Sequence, residues 1–419
     1  MTDTPPNRLD SFVIMLAAIT FAGGVLASAL IPAVAGVLIV LAIICGLVAL
    51  PWSLGLLRNC ERNFKIFLAG GGLLTLLIAG NILAGRSNGK GYEILLLYAL
   101  LIPLILALSR YLSSKNLPVW RAVFYLAIAQ VALLVPVSFF QVYYLGIGRA
   151  QGAINANVFA HLLGANGGLV SVWLFLRTLK RPSLGPYLSL LAWQIVIIST
   201  LFLTGTRGVI IAFAPLILGF MLIDIWYRRK IAWRPLAVFG ISTAYLLALV
   251  FASGRFALSA TELNEVITEG QNSGSFGVRF SIWAESWRLI KESPVFGYGY
   301  FRFNNIISPD LAELSTFVHA HNQLLNFWLM LGFGGLVFIV LFLGQAMVTG
   351  LRLFFSKKSP EAGLVLVWLS GGFFVFGLTD VFMAHTNAAV YLTTLFGLLY
   401  IQADCPYRAS LPRVSGSST

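Results

Sequence analysis

Charge is what this chain lacks most. Only 10% of its residues are Asp, Glu, Lys or Arg, against 58% hydrophobic, whereas soluble globular domains are about a quarter charged. That scarcity excludes a soluble enzyme. It also removes the nucleic-acid reading that a formal net charge of +13 would otherwise invite, because most basic residues sit in short intervals between apolar runs, where they mark topology. Cysteine is almost absent. Cys45, Cys60 and Cys405 make no disulfide framework, and none falls in the one long polar interval. No D-x-D motif occurs, so a sugar-nucleotide enzyme that grips its diphosphate through a metal has no support. Neither a G-x-S-x-G elbow nor a complete phosphate-binding Gly-Lys loop is found, Gly89-Lys90 lacking the rest of that motif. No internal repeat at a fixed period is visible.

What the chain does have is apolar runs. A helix needs about 20 apolar residues to cross a bilayer, and about twelve runs qualify, near 10–30, 32–50, 64–84, 93–111, 118–145, 153–178, 184–204, 207–227, 234–253, 322–350, 362–384 and 386–404. The first outlasts the apolar core of a cleavable signal and is expected to stay as a span, despite the small residues Ala33-Val34-Ala35. The expected fold is an all-α integral membrane protein of about twelve transmembrane helices, a single polytopic domain over 1–419. One large, partly helical loop, about 254–321, separates helices nine and ten, and a short tail, about 405–419, closes the chain. Alternate loops divide the basic residues. One set collects Arg58, Arg62 and Lys65, then Arg177, Lys180 and Arg181, then Arg228, Arg229, Lys230 and Arg234; the other holds few outside the long loop. The positive-inside rule then makes both termini cytoplasmic and the long loop external, with Cys60 and Cys405 on the reducing side. Small-residue clusters such as Gly70-Gly71-Gly72 and Ser370-Gly371-Gly372 read as helix packing.

The external side carries the residues with chemistry. Arg149, Arg207, Arg279 and Arg288 lie at span ends or in the long loop, on the side where the charge rule does not call for them. Arginine presents a fixed fork of donors that matches phosphate oxygens, and several converging would form a cradle for a phosphate or pyrophosphate. The rival reading is that each one reaches for lipid headgroups. Phe280, Trp283, Ala284, Trp287 and Ile290 recur at helical spacing, predicting an amphipathic helix over Gly277–Ile290 that lies on the membrane or caps a cavity. His319 and His321 flank Ala320 and precede Asn322 at the mouth of the tenth span. One of them is placed to act as a general base; a metal pair is the rival use of H-x-H, with no Cys cluster or carboxylate triad in the sequence beside it. His161 and His385 read as structural, and Asp224 and Asp380 as lying near span ends.

In order, Arg149 with Gly152-x-x-Asn155-x-Asn157, Thr204-Gly205-Thr206-Arg207-Gly208, Arg279-x-x-x-Trp283, Pro294-x-x-Gly297-x-Gly299 and His321-Asn322-x-x-Leu325 resemble the O-antigen ligase and polymerase superfamily. The likeness spans roughly 149–335; Ala156 stands where that family often has proline and Thr206 where serine is common. The resemblance implies a multi-pass enzyme of the bacterial inner membrane with a periplasmic active site. It would transfer glycan from undecaprenyl pyrophosphate to lipid A–core by an inverting glycosyl transfer, with no cofactor, metal or nucleic acid. It implies His321 as base, and Arg149, Arg207, Arg279, Arg288, His319 and Asn322 as substrate-binding residues. O-antigen polymerase and protein O-oligosaccharyltransferase are the alternatives within the superfamily. A transporter or lipid flippase is the alternative outside it; such folds commonly show repeated halves, and none is found.

Overall fold

The computed structural model describes residues 8–54, 62–86, 89–229, 231–252, 274–299, 303–307, 317 and 319–404, with isolated positions 261, 264 and 268. The described chain is built of α1 (Arg8–Ala27), α2 (Pro32–Ser53), α3 (Arg62–Leu83), α4 (Gly89–Ser114), α5 (Val119–Phe139), α6 (Ala156–Lys180), α7 (Leu184–Thr204), α8 (Arg207–Arg228) and α9 (Trp233–Ala252). Then come the loop helix α10 (Gly274–Glu292), a single turn Phe303–Ile306, and α11 (Gln323–Phe355), α12 (Pro360–Gly377) and α13 (Thr386–Asp404). Among the described residues, 10 helices are long and apolar enough to cross a membrane. The described apolar stretches of α4 (Leu100–Ser114) and α13 (Ala388–Ala403) take the two remaining places in the expected set of spans. Cys60, Cys405, Arg302, most of the polar loop before Gly274 and the tail after Asp404 lie outside the described residues.

Helix α6 is the axis of the bundle, with 94% of its most apolar window buried against 22% for α3. Its neighbours come in close because three positions carry no side chain. A Cβ on Gly164, Gly167 or Gly168 would stand 2.4 Å from Val209, 2.3 Å from Ile197 or 2.0 Å from Trp368, so α8, α7 and α12 rest on bare α6 backbone. Trp368 Nε1 donates to Ala165 O at 2.8 Å and Trp193 Nε1 to Gly167 O at 3.0 Å. On the far side, Asn166 donates to Gln130 Oε1 at 2.5 Å and accepts from Tyr391 Oη at 2.6 Å, while Gln130 donates to Val25 O at 2.9 Å. These bonds tie α1, α5, α6 and α13 together where no water competes for the groups.

Three spans depart from their sequence reading. The fifth ends in a π turn, Phe140–Tyr144. The eleventh stops at Gly377 instead of running to 384, because residues 378–385 leave the helix, and the Asp380 carboxylate takes the backbone N–H of Val381 at 2.8 Å. The tenth is broken at Gly332 (φ 67, ψ −164), a conformation essentially confined to glycine. The break frees backbone groups, and the loop after α10 claims them: Tyr298 N donates to Leu329 O, Gly299 N to Met330 O and Phe333 N to Pro294 O, each at 2.9 Å. A broken spanning helix is tolerable only when its freed groups are paired in this way.

Helix α10 forms, and the expected apolar face is divided: Ile290 is buried and Trp283 half-buried beside Ile282, Glu285, Ser286 and Leu289, whereas Phe280, Ala284 and Trp287 point outward. The helix is apolar on two faces, and periodicity alone does not say which one meets the protein.

Candidate active site

The turn before α11 is held from three directions. Asn322 caps the helix, its Oδ1 accepting from Leu324 N at 3.0 Å and Leu325 N at 3.1 Å, and its Nδ2 donates to Leu378 O at 3.2 Å. Ala320 N donates to Asn326 Oδ1 at 3.2 Å, and Trp283 Nε1 of α10 donates to Ala320 O at 3.1 Å. Asn322, expected to bind substrate, is therefore occupied as a helix cap and a strut. Between these anchors His321 is forced to φ 46. A non-glycine residue held there marks a site where the surroundings over-determine the backbone.

That strained residue faces Asp380. His321 Nδ1 stands 3.3 Å from Asp380 Oδ1, the two side chains being 18% and 5% exposed. The distance is that of an ion pair; the angle leaves Nδ1 without a formed hydrogen bond. His161 of α6 comes from below, its Nδ1 4.0 Å from Asp380 Oδ2. The His319 ring lies 4.3 Å from that of His321 and 6.1 Å from that of His385, centroid to centroid. The chain has 4 histidines, and all of them surround one carboxylate. His161, His385 and Asp380 were not picked out as site residues in the sequence; each sits in or beside an apolar run, and they are brought together only by the fold. The one signal was rarity, since an ionisable residue within such runs is a functional candidate by default.

The electrostatics divide these groups. Burial, reinforced by the charge of His321, lowers the His319 imidazole to about 4, so it is neutral near pH 7. Burial pushes the Asp380 carboxyl upward, but His321, His161 and His319 together overcome it and hold it well below the usual carboxylate range. Asp380 is an anion, and His321 is the histidine it faces most closely with access to solvent. His319, Asp380 and His385 also offer ligand atoms within 4.8 Å of one another, bringing to the H-x-H pair a carboxylate that the sequence did not show beside it.

The arginines fall into three situations. Arg207 opens α8 just after Gly205, which takes the left-handed φ of 67. Its neighbour Gly208 touches the Asp380 loop so closely that a Cβ would lie 2.0 Å from Thr379 Oγ1. The start of α8 is thereby set against the connection that carries Asp380. Helix α6 starts with Asn155 capping Asn157 N and α11 with the Asn322 cap, whereas Thr206, at the N-cap of α8, makes no side-chain cap, nor do Ile31, Pro118, Ser183 and Ser359 at α2, α5, α7 and α12. The first amides of α8 point toward the site end of the bundle with no side chain capping them, and such a helix start favours an anion. Arg149 ties the α5–α6 connection to the same hairpin, Nε donating to Thr204 O at 2.8 Å and Nη2 to Asn157 Oδ1 at 3.1 Å and Thr206 Oγ1 at 3.2 Å. Arg279 is half-buried on α10, one turn before Trp283 and so on the same face. Arg288 is taken up by carboxylates. Its Nε and Nη2 donate to Glu285 at 2.7 Å each, and its Nη1 donates to Glu292.

Residues 192–340 match the O-antigen ligase family model. That stretch is similar to O-antigen ligases. The matched region includes the α7–α8 hairpin with Arg207, helix α10, the His319–Asn322 turn and the glycine break of α11. An uncharacterized protein of Haemophilus influenzae is 26% identical over 252 residues, a match covering 57% of this chain and 62% of that relative. Part of the cluster lies outside the family match: His161 precedes it, and Asp380 and His385 follow it.

Proposed function

We propose that this protein transfers a glycan from a polyprenyl diphosphate carrier to an acceptor hydroxyl, and that the acceptor is the lipid A–core of lipopolysaccharide. The observation that carries the reading is the His321–Asp380 pair beside the uncapped start of α8 and Arg207. With Nδ1 turned to Asp380, the Nε2 of His321 takes the proton of the acceptor hydroxyl. The oxygen forms its bond to the anomeric carbon as the bond to the diphosphate oxygen breaks in line, so configuration inverts. The departing electron pair goes to the diphosphate, whose charge meets Arg207 and the α8 amides, with Arg279 as the second arginine. Asp380 steadies the imidazolium that forms. Arg149 acts by holding the hairpin that presents Arg207.

His321, not His319, is the base in this reading, because His319 is buried and its proton affinity is too low for the task near pH 7. The exposed face of α10, with Phe280 and Trp287 outward, suits a roof over a cavity open sideways to a lipid-anchored acceptor. This setting implies the bacterial inner membrane with the site on the periplasmic side.

The test is transfer by purified, reconstituted protein offered undecaprenyl-pyrophosphate glycan with lipid A–core, with a second donor, or with an acceptor protein. His321→Ala should lower kcat by about 10²–10⁴; a near-normal rate would reject the assignment. Chain growth without lipid A–core would make the protein a polymerase, and glycosylation of the acceptor protein would make it a protein O-oligosaccharyltransferase.

A further inference from the structure

We infer that His319, Asp380 and His385 form a binding site for a transition-metal dication of the zinc type, and that occupying it switches the His321–Asp380 pair off. The three side chains place one donor atom each within 4.8 Å of the others. Two imidazoles and a carboxylate are a donor set suited to zinc, nickel or copper. Bound donors around zinc stand ~3.3 Å apart, given bonds of about 2.0–2.1 Å, so an ion would draw these three together by about 1.5 Å at most. Both stretches that carry them are irregular: His319 lies in the turn before α11, and Asp380 and His385 lie in the 378–385 connection.

A second observation points to a ligand. His319 is 8% exposed, and its Nδ1 is buried with no hydrogen-bond partner, as are both ring nitrogens of His161. Buried polar atoms are nearly always satisfied, and exceptions gather where water, an ion or chemistry supplies the partner. Proton transfer by His321 uses Asp380 and calls on neither His319 nor His385. A metal ion gives them one.

The consequence follows from sharing. Asp380 is both the partner of His321 and the only carboxylate of the triad. A metal that takes its lone pairs withdraws the anion from His321 and adds positive charge beside the ring that must become an imidazolium. The ion is therefore an inhibitor, not a cofactor. This regulatory half rests on the function proposed above, whereas the binding half does not.

The experiment uses the full-length protein in detergent, stripped with a chelator, and titrates Zn²⁺ by calorimetry and Co²⁺ by visible absorption. One ion per chain is expected, with His385→Asn and His319→Asn each weakening binding by at least about 10- to 100-fold, the loss that removing even an outer-shell partner causes, and erasing the Co²⁺ spectrum. In the transfer assay, Zn²⁺ should inhibit the unmodified protein. His385→Asn should keep its own metal-free rate at the zinc level that stops the parent. Absence of stoichiometric binding, or undiminished binding by both variants, overturns the site. Binding that leaves transfer untouched overturns the switch. A metal-free protein that transfers no glycan to any acceptor sinks the proposed function while leaving the binding result standing.

Discussion

Replacing Asp380 by Asn isolates what its charge contributes. The side chain keeps its size and keeps an oxygen to accept the Val381 N–H, so the connection between α12 and α13 has no reason to unravel. What is lost is a counter-charge 3.3 Å from His321 Nδ1. For two unit charges at that separation, an effective dielectric of about 20 gives an attraction of about 5 kcal/mol. The free base is neutral and the imidazolium is formed on the way to the transition state, so nearly all of this acts on the barrier. At about 1.4 kcal/mol per factor of ten, the ceiling is about 10³–10⁴ in kcat. The residual exposure of His321 lowers the expected loss to about 10²–10³. Initial rates with purified protein should show the loss in kcat, with the KM for donor little changed and thermal unfolding near that of the parent. A fall of less than about tenfold in kcat would refute the dyad.

The other consequences can be checked with the same preparation. Arg207→Lys keeps the charge but loses the fork of donors, and should raise the donor KM by about 10- to 100-fold with a smaller effect on kcat; an unchanged KM removes Arg207 from the diphosphate. Thr206→Asp supplies the missing cap of α8, which favours the helix by about 0.5–1 kcal/mol, yet puts a negative charge where the diphosphate is placed. Donor KM should rise by about tenfold while the melting temperature holds or increases, and equal donor affinity would move the anion seat elsewhere. Gly332→Ala forces a Cβ to within 1.9 Å of Val295 O at a backbone angle closed to alanine. It should destabilise the protein by at least about 2 kcal/mol in thermal unfolding; parental stability would mean that the loop is not locked into the break.

The spans were legible because crossing a bilayer imposes a length and a composition that a single pass along the chain can see. His321, Arg207 and Arg279 were legible as polar residues at span ends on the side that the charge rule does not populate. The carboxylate that completes the pair was not. Asp380 lies in a run apolar enough to read as one span, and only the hydrogen bond to Val381 N shows that the helix has already ended there. His161 and Asp380 are brought together by packing of α6 against α12 through Gly168 and Trp368, a contact between residues far apart in sequence. Arg149 and Arg288 look alike as sequence. Their neighbours separate them: one finds carbonyl and hydroxyl oxygens on the α7–α8 hairpin, the other two glutamates on its own helix.

The strained His321 and the missing cap on α8 belong to one arrangement. A left-handed φ at a non-glycine residue costs of order 1–3 kcal/mol, and an uncapped helix start gives up about 1 kcal/mol more. Both are placed beside the same connection, through Asp380 in one case and the Gly208–Thr379 contact in the other. Asn155 and Asn322 cap their helices, Ile31, Pro118, Ser183 and Ser359 do not, and the break at Gly332 is mended by residues 294–299. The uncapped start of α8 and the strained His321 thus leave two needs side by side at that connection. An anionic group arriving at α8 and a proton arriving at His321 would meet both.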